Sequence, residues 1–241
     1  MPRRKDIWRC AIVDRSIRDV LTDGLSGADV HWLPEQPAFT FLADPFGMEV
    51  DGRRYIFVEQ YDYRTRHGVI DVLTVDDRGG VIDQQRCLEK PWHLSYPHVF
   101  EADGEIWMLP EAHRSGRLTL YRAAAFPEKW EEACDIELDC VPVDATITRF
   151  NDQWVMFYCP ATSKRTKISH LHIAFAENLA GPWRSHPGNP VRIDTGSTRP
   201  GGAPVPHEGG LILPMQDCTR TYGGAIRALV IETLTEETFA A

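Results

Sequence analysis

Acidic side chains recur along this sequence at matched spacings, and paired carboxyl groups are the working parts of glycoside chemistry. Asp44 precedes Glu59 by fifteen residues, Tyr96 precedes Glu111 by fifteen, and Gly202 precedes Asp217 by fifteen. Asp144 leads a further segment of the same kind, with Cys159 at the closing position. One carboxyl can protonate a leaving oxygen while another activates water or attacks the sugar carbon. Crowded carboxyls also raise one another's pKa, so that one can keep its proton near neutral pH. A structural role for the same acids stays open, because Asp and Glu at strand ends often accept backbone N–H groups of a neighbouring sheet.

Other polar residues fall near these acids. His93, Tyr96 and His98 precede or open the second segment, Arg199 opens the fourth, and Gln216 stands beside Asp217. With Glu59 they form a candidate substrate-binding set. The planar, permanently charged Arg199 suits either a ligand's carboxylate or phosphate, or one of the acids. His93, His98 and His113 with Glu111 match no zinc spacing, so neither a metal nor a cofactor is expected. Gly79-Gly80 and Gly201-Gly202 read as turns, not phosphate cradles. The six cysteines include no CxxC pair, which points to buried thiols instead of a disulfide framework or a zinc site.

The elements that must position these residues form a repeat. From lead to turn, Asp44 to Gly52, Tyr96 to Gly104, Asp144 to Asp152 and Gly202 to Gly210 each span eight residues. Each copy reads as a β-hairpin closed by a turn at Asp51-Gly52, Asp103-Gly104, Asn151-Asp152 or Gly209-Gly210. Further strands follow at 69–75, 117–122, 170–174 and 225–231. Three or four strands per repeat, at a period near 50 residues, predict an all-β propeller; a β-sandwich would not explain the fixed offsets. In a propeller the lead of each first strand and the end of each second strand meet at one mouth of the central channel. The segments 7–13 and 30–33 are expected to supply part of a fifth blade, the 241 residues being slightly short for five full ones. Short helical pieces are expected at 15–25, 128–133 and 235–241.

Composition limits the function. The chain carries a net charge of −9, with 43% hydrophobic and 25% charged residues. That balance disfavours a nucleic-acid surface, which needs clustered Lys and Arg. The only basic run, Arg3-Arg4-Lys5, reads as a solvated tail. No apolar stretch is long enough for a membrane span and no signal-peptide core follows that run, so a single cytoplasmic domain over residues 1–241 is expected.

Ordered strings carry a resemblance. Phe41-Leu42-Ala43-Asp44-Pro45-Phe46, His93-Leu94-Ser95-Tyr96-Pro97, Met108-Leu109-Pro110-Glu111, Gly181-Pro182-Trp183, Arg199-Pro200-Gly201-Gly202 and Gln216-Asp217 follow one another in family order. Over residues 7–238 the chain resembles the N-terminal propeller domain of glucosamine inositolphosphorylceramide transferase-like proteins. That domain is similar to the five-bladed propellers of arabinanases, xylosidases, invertases and levansucrases. The resemblance implies a glycosyl-cleaving or -transferring site with Asp44 as base or nucleophile and Asp144 as transition-state stabiliser. The hydrolases carry their acid on a later blade, where this chain has Arg199-Pro200-Gly201-Gly202; Glu111 takes that role here by position. It also implies a carbohydrate or glycoconjugate ligand, and a glycosyltransferase or formyltransferase partner. A non-catalytic glycan-binding module and a scaffold with a plugged channel are the competing expectations.

Overall fold

The structure is a computed structural model that describes residues 5–241; Arg3 and Arg4 of the basic run lie outside them. Four antiparallel blades follow one another. The first holds Thr40–Val50, Arg53–Asp62, His67–Val75 and Val81–Leu88, and the second Ser95–Ala102, Glu105–Glu111, Thr119–Ala125 and Lys129–Asp135. The third holds Pro142–Phe150, Gln153–Pro160 and His170–Ala176, with short outer pieces Arg184–Ser185 and Arg192–Ile193. In the fourth, a split inner strand, Arg199–Pro200 and Val205–His207, pairs with Gly210–Asp217, which pairs with Ala225–Ile231.

Tight turns set the hairpins. Asp51-Gly52, Asp103-Gly104 and Asn151-Asp152 all have positive φ at both positions, the type I′ geometry that matches strand twist. The fourth turn is Glu208-Gly209, one residue earlier than expected.

The blades stack through shared apolar clusters. Phe46, Phe57, Ile70 and Val72 of the first pack with Tyr96, Val99, Met108 and Tyr121 of the second. Leu109 and Leu120 meet Ile147, Met156 and Tyr158 of the third, and Val155, Phe157 and Ile173 meet Leu211, Leu213 and Leu229 of the fourth. A strand covered on both faces reads as one apolar run, which is why residues 155–159 are all fully buried.

Among the described residues four blades form, not five. Ahead of residue 40 the described residues make a two-stranded ribbon, Ala11–Val13 with Val30–Trp32, around the helix Ile17–Asp23. Cys10 and Leu33 of this region pack on Leu42, Ile56, Val58 and Leu73 of the first blade. Trp8 meets the Tyr222 ring edge-on, and a Cβ at Gly223 would stand 3.0 Å from it, so the N-terminal region bridges the first and fourth blades. The C-terminal residues add only a second small ribbon, Thr233–Leu234 with Phe239–Ala240. Two expected helical pieces are also strands. Lys129–Asp135 pairs with Thr119–Ala125 and Phe239–Ala240 with Thr233–Leu234, because ladder pairing outweighs helix propensity in short segments. Among the described residues, no helix is long and apolar enough to cross a membrane, and no group of three or more His, Cys, Asp or Glu is placed to hold a metal.

Candidate active site

One structural device recurs at the head of three of the four blades. The inner strands carry an extra residue between Ala43 and Phe46, between Ser95 and His98, and between Val143 and Thr146. Asp44, Tyr96 and Asp144 sit in these bulges with φ of 50°, 46° and 49°. Left-handed backbone at non-glycine residues costs on the order of 1–3 kcal/mol each and clusters at functional sites. A bulge also re-aims the side chain it carries, here toward the channel. The fourth blade instead inserts two extra residues between Pro200 and Val205.

All four blades contribute to a cavity of about 750 Å³. Asp44 and Glu59 enter from the first, Tyr96 and Glu111 from the second, Arg199 and Gln216 from the fourth. The third supplies Val143, Lys164 and Lys167, with Asp144 beneath, only 2% exposed. A cavity lined by Asp44 and Glu111, though not by Asp144, argues against a plugged channel.

Electrostatics separate the acids. Burial, reinforced by the Asp144 charge, pushes Asp44 up to about 7, against the pull of Arg199 and of the Tyr96 N–H on its Oδ2. Burial and the Asp44 charge push Glu59 well above the usual carboxylate range. Glu111 goes the other way: burial alone would raise it, but the His113 ring and N–H and the Ser95 hydroxyl hold it down to about 2. Asp144 is raised by burial while Arg199 opposes; its Oδ2 accepts Arg199 Nε at 2.6 Å and Gln216 Nε2 at 2.7 Å. Of the two open roles for Arg199, pairing with an acid is the one it takes in this structure. The same guanidinium donates to the Lys167 carbonyl and lies over the Tyr222 ring.

The remaining candidates divide. His93 lines the cavity, where burial lowers it to about 4. Its Nδ1 accepts the Gly68 N–H, leaving Nε2–H to face Glu59 at 3.5 Å. A Cβ at Gly68 would stand 2.7 Å from both Glu59 and His93, so only glycine admits this pair. Tyr96 Oη bonds Thr146. Two expectations need correction. His98 lies between blades, its Nε2 on the Ile147 carbonyl and its ring against Phe46 and Phe100. Asp217 faces away from the cavity, held by Thr219 and Arg227, because Arg199 pairs with Gln216 in the register and Gln216 takes the channel-facing place. An acid role for Glu111 also meets an obstacle, since a carboxyl held near 2 has no proton to give at neutral pH.

Spacing of the repeat missed several cavity residues. Tyr61 and Tyr63 line it, and the period of two along a strand puts residues 59, 61 and 63 on one face, a signal present in the sequence. His113, Arg114, Lys164 and Lys167 arrive from connections after the second strands of the second and third blades, and Trp8 from ahead of the repeat; no periodicity marks them. The cysteines are free, with Cys10, Cys87 and Cys159 buried and the other three half-buried.

Comparison with known proteins fits this architecture. A thermostable family-43 glycoside hydrolase superposes with a TM-score of 0.60 at 14% identity, over 81% of this chain and 73% of the other. An α-L-arabinofuranosidase from Lactobacillus brevis gives 0.61 at 13% identity, over 90% and 82%. These likenesses concern the propeller fold. By sequence, glucosamine inositolphosphorylceramide transferase 1 from Oryza sativa subsp. indica is 34% identical over 203 residues, 83% of this chain and 27% of that protein. The Arabidopsis thaliana protein of the same name is also 34% identical, with 83% and 26% covered. The chain thus spans about a quarter of the length of these curated relatives. The family model for the N-terminal region of glucosamine inositolphosphorylceramide transferase 1 matches residues 33–241, and the chain belongs to that family.

Proposed function

We propose that this carbohydrate-related propeller cleaves or transfers a glycosyl group in the four-blade cavity. The reading rests on the contrast in protonation within one concave site: Asp44 keeps a proton up to about 7 while Glu111 stays ionised down to about 2. Such a split marks an acid and its ionised counterpart. Asp44 then protonates the leaving oxygen, the reverse of the base role the resemblance implied. Asp144, held against Arg199 beneath the cavity, helps to keep the Asp44 proton in place through its charge. His93 offers an N–H beside Glu59. Tyr61, Tyr63 and Tyr222 give aromatic faces on which a sugar ring can stack.

A glycan-binding accessory role is the second reading. Arg114, Lys164 and Lys167 line the mouth, and none makes a side-chain ion pair among the described residues. Such free cations suit a glycoconjugate bearing an anionic group, as the inositolphosphoryl part of the relatives' name would. In that reading the module serves a glycosyltransferase or formyltransferase partner.

A panel of p-nitrophenyl glycosides, covering pentoses and hexoses in both anomeric forms, separates the two. Multiple turnovers of nitrophenolate release from any member are expected. Ligand-induced thermal stabilisation without release across the panel would favour the accessory module.

A further inference from the structure

Glu111 ends the second strand of the second blade, and the chain then makes a single 3-10 turn, His113–Ser115. This turn folds His113 back over the carboxylate. Glu111 Oε1 accepts both the His113 backbone N–H and its ring Nδ1, and Oε2 accepts the Ser95 hydroxyl. An ionised carboxylate only accepts hydrogen bonds. The His113 ring nitrogen facing the carboxylate, Nδ1, therefore carries a proton, and in the neutral ring Nε2 has the free lone pair. That ring lines the cavity with its side chain 26% exposed, and Nε2 bonds to no described residue. His93 holds the opposite tautomer, since its Nδ1 accepts the Gly68 N–H. In their neutral forms, two histidines at one mouth thus present one N–H and one bare nitrogen. Arg9, Arg114, Lys164, Lys167 and Arg199 are the cations lining the same cavity.

We propose that His113 is a catalytic residue, the proton acceptor for the attacking water or acceptor hydroxyl, and that Glu111 is its positioning residue. The proposal rests on the glycosyl-transfer reading above. In a single displacement the attacking oxygen forms its bond to the anomeric carbon and gives its proton to His113 Nε2. The glycosidic C–O bond breaks, its electron pair stays on the leaving oxygen, and that oxygen takes the Asp44 proton. Solvent then removes the proton from His113 and returns one to Asp44, so glycoside plus water yields free sugar and alcohol.

Long-range proton–nitrogen correlation on the full labelled chain near neutral pH reads the tautomer directly, with His113 assigned by its loss in His113→Gln. The expected result is Nδ1–H for His113 in the wild type, relaxing toward Nε2–H in Glu111→Gln. On whichever nitrophenyl glycoside the wild type cleaves, His113→Gln should lower kcat by about 10²–10⁴-fold with KM much less affected. Glu111→Gln should lower it less. A wild-type ring protonated at Nε2, whether as the Nε2–H tautomer or as the imidazolium, or undiminished turnover by His113→Gln, would overturn the proposal and leave Asp44-dependent cleavage standing. If the wild type cleaves no glycoside, the underlying reading fails and the proposal falls with it.

Discussion

Asp44→Asn is expected to lower glycoside turnover by about 10²–10⁴-fold, the range of a positioned general acid, and to make the protein more stable above pH 7. The second effect follows from linkage. The folded-state pKa is raised from 3.8 to about 7, so between those values the folded protein holds a proton that the unfolded chain has released. The group's contribution is fully present below about pH 4, the ordinary Asp value, and is lost as pH rises through the folded pKa. Asparagine cannot ionise, so thermal melts of the variant should show a smaller decline, the remainder coming from Glu59, which burial also raises. Glu111 has the opposite sign: with a folded pKa of about 2, it stabilises above its ordinary value and loses that contribution as pH falls through 2. A variant Asp44→Asn that turned over normally, with a wild-type pH profile of stability, would contradict both expectations.

Arg199→Ala is expected to have the largest effect on stability. The Arg199–Asp144 pair is nearly inaccessible, at 9% and 3% side-chain exposure. Removing one member of a buried pair costs about 3–5 kcal/mol because the other charge is left uncompensated. In a domain of this size that corresponds to roughly 10 °C in Tm. Arg199 also holds the Lys167 carbonyl, so the connection carrying Lys164 and Lys167 should loosen as well. Adding Asp144→Asn removes the orphaned charge, and calorimetry should show the double variant recovering part of the loss. A fall of less than about 2 °C in the single variant, below what 1 kcal/mol gives at this size, would show that the pair is solvated.

The hairpins were readable because Asp-Gly and Asn-Asp turns announce type I′ geometry and recur at one offset. That offset also located Asp44, Tyr96 and Asp144, whose bulges share one place in three blades. The blade count was not readable from the same arithmetic. Dividing length by period assumes that every fifty residues make a blade, whereas residues 5–39 lack the repeat and form a ribbon and a helix. The fourth turn falls at Glu208-Gly209, so counting from Gly209-Gly210 lands on Asp217, while Gln216, seven residues after Gly209 as Glu59 is after Gly52, reaches the channel. Protonation was the least legible feature. Glu111 looks like Glu59 in the repeat, yet His113 lies over one and His93 Nε2–H faces the other only at 3.5 Å. Those contacts come from connections outside the periodic strands.

The most direct measurement is a crystal structure of Asp44→Asn soaked with the nitrophenyl glycoside that the wild type cleaves fastest. The account predicts a sugar ring within the four-blade cavity, with the glycosidic oxygen about 2.6–3.2 Å from the residue 44 side chain, the reach of a proton donor. A glycoside bound elsewhere on the propeller, or seated in the cavity with that oxygen turned away from residue 44, would contradict it.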